Sequence, residues 1–92
     1  MSYRRTKLSI YVDILKSIRE QEDREGKAKV TKIIFDANLP YVRVKDKLEE
    51  LIKLRLIEVV DGRYYRLTEK GREALRELTK ALKIIEVFGF KL

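Results

Sequence analysis

The sequence predicts an α+β fold, mostly α, on three observations. Apolar residues recur at helical spacing over most of the chain. Two helical segments near the middle are separated by a turn of two or three residues. One β-prone run, LIEVVDGRYYRL, interrupts the helices and is broken by Asp61-Gly62. The expected order is helix, helix-turn-helix, two- or three-stranded hairpin and long last helix, within a single domain spanning 1–92.

The first helix is expected over Lys7 to about Asp23, because Leu8, Tyr11, Leu15 and Ile18 share one face with Ile14 beside them. The polar stretch QEDREGKAK ends it near Gly26 and reads as a solvated helix end. Thr31 is the expected N-cap of a short helix, Lys32–Ala37, and Asn38 stops that helix by taking the left-handed conformation. Pro40 fits the first turn of the next helix, about Pro40 to Leu54, since it needs no N–H partner there. Tyr41, Val44, Leu48, Leu51 and Ile52 form the apolar face of that helix.

Asp61-Gly62 between Val59-Val60 and Tyr64-Tyr65 is a strong hairpin signal. A loop centred on these two residues sets Val59 opposite Tyr64 and Ile57 opposite Arg66, and neither face is then purely apolar. Ala28–Val30 is a candidate third strand at the hairpin's edge. Thr68 is the expected N-cap of the last helix, which runs to about Val87, with Glu69 suiting its dipole. A two-stranded ribbon is not stable alone, so it must lie on the helices. The fold expected is therefore a winged helix-turn-helix: helix-turn-helix and wing over 4–67, C-terminal helix over 68–88.

Composition narrows the function. With no cysteine and no histidine, disulfides, thiolate zinc sites, thiol nucleophiles and imidazole bases are all excluded. The acids are scattered and the glycines form no phosphate-cradling pattern, so no enzyme activity, cofactor or metal is expected. Twenty-two basic against 15 acidic residues give +7, which favours an anionic partner, nucleic acid before membrane surface. No apolar run approaches the ~18 residues of a membrane span, and MSYRRTKLSIYVDIL lacks the apolar stretch of a signal peptide. A cytoplasmic, nucleoid-associated location is expected. Abundant Lys, Arg and Glu with no Cys also fit a thermophile.

In the helix Pro40–Leu54, burying Val44, Leu48, Leu51 and Ile52 turns Val42, Arg43, Asp46, Lys47 and Glu50 outward, with Lys45 on the flank. The N-terminal half is then basic, as a recognition helix needs. Arg43 is the candidate for a bidentate guanine contact, and Lys45 and Lys47 for phosphate or base edges. Tyr41 either stacks near the DNA backbone or covers the core, with core preferred. Arg63 and Arg66 on the hairpin, the arm Arg4, Arg5 and Lys7, and Thr31 with Lys32 at a helix N-terminus complete the candidate DNA contacts. Arg43, Lys47 and Arg63 have a plain alternative as solvated surface, and the arm has one as a disordered segment. RNA is a weaker partner, since no aromatic stacking strip is visible.

In the last helix Gly71, Leu75, Leu78, Leu82 and Ile85 form an a/d seam, with Ala74, Ala81, Ile84 and Phe88 beside it. Such a stripe exceeds what one small core covers, so pairing of this helix in a homodimer is expected. The alternative is packing of the whole helix on Ile10 and Ile14 of the same chain.

The segments DIL (13–15), TKIIFDANL (31–39), LEELIKLRLIE (48–58) and YRLTEKG (65–71) resemble small archaeal winged-helix regulators and chromatin-type DNA-binding proteins, over about residues 4–86. The resemblance implies a homodimer joined through a C-terminal coiled-coil helix, with the second helix of the turn motif in the major groove. It leaves open a transcription regulator, a non-specific chromatin protein and a protein-interaction adaptor, and it names no effector. Where such proteins usually carry Gly before Leu-Ile, this chain has Arg55, which puts the helix end there in question.

Overall fold

The computed structural model describes residues 6–89. The basic arm at Arg4 and Arg5 and the tail residue Phe90 lie outside them. Four helices and one hairpin follow in the expected order: α1 (Lys7–Glu25), α2 (Val30–Ala37), α3 (Tyr41–Lys53), β1 (Ile57–Val60), β2 (Tyr64–Leu67) and α4 (Glu69–Val87).

α1 starts because the Thr6 hydroxyl oxygen accepts the Ser9 N–H at 3.1 Å, and it ends at Gly26, whose φ of 83° suits glycine. α2 begins two residues earlier than expected. Lys29 is its N-cap, with no side-chain cap bond, and Thr31 sits inside the first turn, so the predicted Thr31 cap is wrong. The Lys29 N–H instead donates to Gln21 Oε1 at 2.8 Å. A side chain of α1 thus holds the backbone of the residue at which α2 starts. Asn38 stops α2 in the left-handed region, φ 54°, as expected. Pro40 is the N-cap of α3, with its carbonyl accepting from Val44 at 3.1 Å.

The hairpin register differs by one residue from the expected one. Val59 faces Tyr65 and Ile57 faces Leu67, because the loop holds Asp61, Gly62 and Arg63. Asp61 and Gly62 both take positive φ, and Arg63 becomes an additional loop residue. A one-residue slip exchanges the faces of a strand. Ile57, Tyr65 and Leu67 now share the inner face and are buried, while Glu58 and Arg66 face each other outside, 3.1 Å apart. The expected third strand is reduced to a single bridge, Ala28 with Tyr65, closed by hydrogen bonds of 2.8 and 2.9 Å.

One core joins all elements: Ile14, Leu15 and Ile18 of α1, Ile33 and Ala37 of α2, Val44, Leu48 and Leu51 of α3, the inner hairpin residues and Leu75 of α4. Each fully buried Ile or Leu contributes about 1.5–3 kcal/mol, so α1, with three, is the central support. Two polar devices lock it. Glu22, with 5% of its side chain exposed, accepts the Leu67 N–H through one oxygen and pairs with Arg72 at 2.8 Å through the other. Ser17, also buried, donates to Asp36 at 2.7 Å and accepts from Gln21 at 3.1 Å.

Candidate nucleic-acid interface

The turn Asn38–Pro40 sets α3 after α2, and burial of Val44, Leu48 and Leu51 fixes which face of α3 points out. The N-terminal turn of α3 is open: Tyr41, Val42 and Arg43 are all exposed. Tyr41 is half uncovered, so its preferred place in the core is corrected. It lies on the same stripe as Val44 and Leu48, but as the first helical residue it is the outermost member of that stripe, and the core covers only part of it. Among the described residues no ion pair involves Arg43.

The other predicted cations are engaged by the protein itself. Lys47 was expected to face outward, yet its side chain is only 14% exposed. It lies 3.5 Å from Glu50 and 5.6 Å from the Tyr11 ring centre, on the α1 side of the helix. Glu50 also meets Lys7 of α1 at 3.7 Å. Lys45 reaches the Tyr65 hydroxyl at 3.3 Å, and this hydrogen bond holds its pKa above the usual lysine value. Lys32 pairs with Asp36 at 2.8 Å and lies 4.9 Å from the centre of the exposed Phe35 ring. Arg66 is held by Glu58, and Thr31 is exposed in the first turn of α2. Arg63 projects at the hairpin tip, its guanidinium carbon 5.0 Å from the Tyr64 ring centre.

A winged helix-turn-helix family model matches residues 4–86, nearly the whole chain. The chain belongs to this family. Of solved structures, Sso10a-2, a DNA-binding protein from Sulfolobus solfataricus, is 29% identical with a TM-score of 0.73, the match covering 91% of this chain and 85% of that one. A MarR family transcriptional regulator from Silicibacter pomeroyi DSS-3 is 17% identical with a TM-score of 0.64, over 88% of this chain and 57% of that one, a likeness of fold. No curated protein matches the chain.

In this winged helix the hairpin is the wing, and its tip carries a cluster that the sequence reading missed. Lys27 Nζ lies 3.2 Å from Asp61 and 4.2 Å from the Tyr64 ring centre, so two cations flank one tyrosine. The antiparallel bridge of Ala28 with Tyr65 brings Lys27 beside the wing, and its long side chain reaches across to the Tyr64 ring.

The seam expected from the sequence divides in two. Leu75 is buried in the chain's own core, which corrects its assignment to a dimer contact, and Leu78 and Leu82 pack partly against that core. Gly71 is buried against Leu56. Beyond them Ala81, Ile84, Val87 and Phe88 are exposed, and Ile85 is half-buried. The chain therefore buries Gly71 and Leu75 internally, covers Leu78 and Leu82 in part, and leaves Ala81, Ile84, Val87 and Phe88 open. Among the described residues no helix is long and apolar enough to cross a membrane.

Proposed function

We propose that this winged helix is a dimeric double-stranded DNA-binding protein acting as a transcription regulator. The N-terminal turn of α3 enters a major groove, the wing tip and the basic arm hold phosphates, and paired α4 helices set the half-site spacing. The observation that carries the reading is the contrast on α3. Arg43 is exposed and free of ion pairs among the described residues, while Lys47 is already neutralised by Glu50. A guanidinium fork at the start of a recognition helix matches guanine O6 and N7. The 29% identical Sulfolobus protein, itself described as DNA-binding, supports the same reading.

A duplex-binding titration by fluorescence anisotropy tests it. Wild-type affinity is expected to fall steeply between about 50 and 200 mM salt as counterions are released. Arg43→Ala is expected to weaken binding about fivefold or more, the loss of one base contact. Lys47→Ala is expected to change binding far less. Undetectable binding at low salt, or affinity flat across that range, overturns the reading. A protein-interaction adaptor is the second reading, favoured by the apolar end of α4, where Phe88 is 73% exposed.

A further inference from the structure

The outward face of α3 carries a group that phosphate binding does not explain. Residues three and four apart share a helix face, so Val42, Arg43 and Asp46 form one patch. Val42 is 76% exposed, and the Asp46 side chain is 65% exposed. The cation nearest Asp46 is its neighbour Lys47, at 3.7 Å, and Lys47 lies nearer to Glu50. The patch thus presents a branched methyl pair, a donor fork and an acceptor-only carboxylate.

We propose that Asp46 is a specificity-determining residue that reads a cytosine and rejects backbone-only binding. The inference rests on the DNA-binding reading above. Phosphate oxygens are acceptors and anionic, so a carboxylate entering the groove beside them is repelled and loses its water without a partner. On a surface built to coat any duplex such a group is a defect. Base edges in the major groove offer what phosphate lacks. The cytosine N4 amino group donates to a carboxylate, guanine O6 and N7 accept an arginine fork, and the thymine methyl fits an apolar side chain. Each of the three exposed groups has a base-edge counterpart, and only Arg43 also suits phosphate.

The spacing fits adjacent base pairs. Three residues of helix rise about 4.5 Å, close to the ~3.4 Å step between successive bases of one strand. Arg43 and Asp46 therefore address a guanine and a neighbouring cytosine. The carboxylate acts in both directions: it gains a hydrogen bond at the right pair and imposes a penalty at every other.

The test is selection of duplexes from a random library by the full chain, followed by anisotropy titrations on the selected duplex and its single-pair variants. Wild type is expected to prefer cytosine at one position by about fivefold or more. Asp46→Ala is expected to abolish that preference and to bind mixed-sequence DNA more tightly than wild type. Asp46→Asn is expected to move the preference to adenine, which an amide reads through N6 and N7. Unchanged base preference in Asp46→Ala overturns the proposal, as does an equal change of affinity on every duplex. If wild type binds all duplexes alike, DNA binding stands and the role of Asp46 falls. If wild type binds none, the DNA-binding reading itself falls.

Discussion

A Cβ atom placed on Gly71 would lie 1.9 Å from the carbonyl oxygen of Leu56. The first turn of α4 is therefore pressed onto the backbone that enters the wing, at the step where Thr68 N–H donates to the same carbonyl at 3.0 Å. The Thr68 side chain reinforces the corner, accepting from Gly71 N–H at 3.0 Å and donating to the Arg55 carbonyl at 2.6 Å. Gly71→Ala tests it. In an open helix this change stabilises by about 1 kcal/mol through propensity. Here the methyl meets backbone that has no side-chain freedom to yield. Destabilisation at or above the ~1–3 kcal/mol typical of overpacking is expected, read from urea denaturation. A neutral or stabilising result would show that the corner is loose.

Arg55 makes the opposite prediction. It takes φ 61° at the end of α3, with its N–H donating to Ile52 at 2.9 Å and the Leu56 N–H donating to Leu51 at 3.0 Å. Those two bonds are the Schellman closure that glycine normally occupies. A non-glycine residue in this region is strained by about 1–2 kcal/mol, and glycine returns part of that through a freer unfolded chain. Arg55→Gly is expected to stabilise by about 0.5–1 kcal/mol, a few degrees in Tm for a domain of this size. A lower Tm would mean that the exposed Arg55 side chain contributes more than its backbone loses.

The contrast between these positions shows what the sequence makes legible. Helices, caps at Asn38 and Thr68, and the order of elements follow from period and turn chemistry, which act over a few residues. The wing register does not follow, because Asp-Gly alone suits a two-residue loop, whereas the loop also takes in Arg63. Had the inner face been required to be apolar, Ile57 with Leu67 and Val59 with Tyr65 would have selected the observed pairing. The covering of Lys47 is hidden for a different reason. Its covering comes from Tyr11 and Glu50, and Tyr11 lies 36 positions earlier in the chain, beyond the reach of a helical wheel. In the sequence Glu22 and Gln21 resemble solvated polar residues, since nothing local shows that the wing and α2 deliver N–H groups to them.

The Ser17–Asp36 pair predicts a pH dependence. Burial pushes the Asp36 carboxyl up, but hydrogen bonds from Lys32 and Ser17 outweigh it, leaving the pKa below the usual carboxylate value. A folded-state pKa below the unfolded one adds stability above the unfolded pKa of about 3.9, lost as pH falls through the folded pKa. Ser17→Ala removes one donor to the carboxylate and the acceptor for Gln21 Nε2. Its destabilisation is expected to be about 1.5–3 kcal/mol at pH 7, as for a hydrogen bond to a charged group. At pH 3 it should be smaller, because Asp36 is then closer to neutral and the donor matters less. Equal losses at both pH values, measured by urea denaturation, would remove the Asp36 contribution from the account.

The two halves of α4 predict two different failures. Leu75 is 1% exposed and belongs to the core, so Leu75→Ala is expected to destabilise the fold by about 2–5 kcal/mol. Ile84 and Phe88 are exposed beyond the reach of that core, and Val87 lies beside them. A double change, Ile84→Asp with Phe88→Asp, removes apolar surface that the single chain does not cover, and should leave helical circular dichroism and Tm of the monomer nearly unaltered. Under the dimer proposal it converts a concentration-dependent dimer into a monomer in sedimentation equilibrium. DNA affinity should fall with it, because two linked half-sites bind far more tightly than one. Wild type sedimenting as a monomer at every concentration would defeat the dimer. In that event the distal face of α4 would be a surface for a different protein, and the wing and α3 would meet DNA as a single unit.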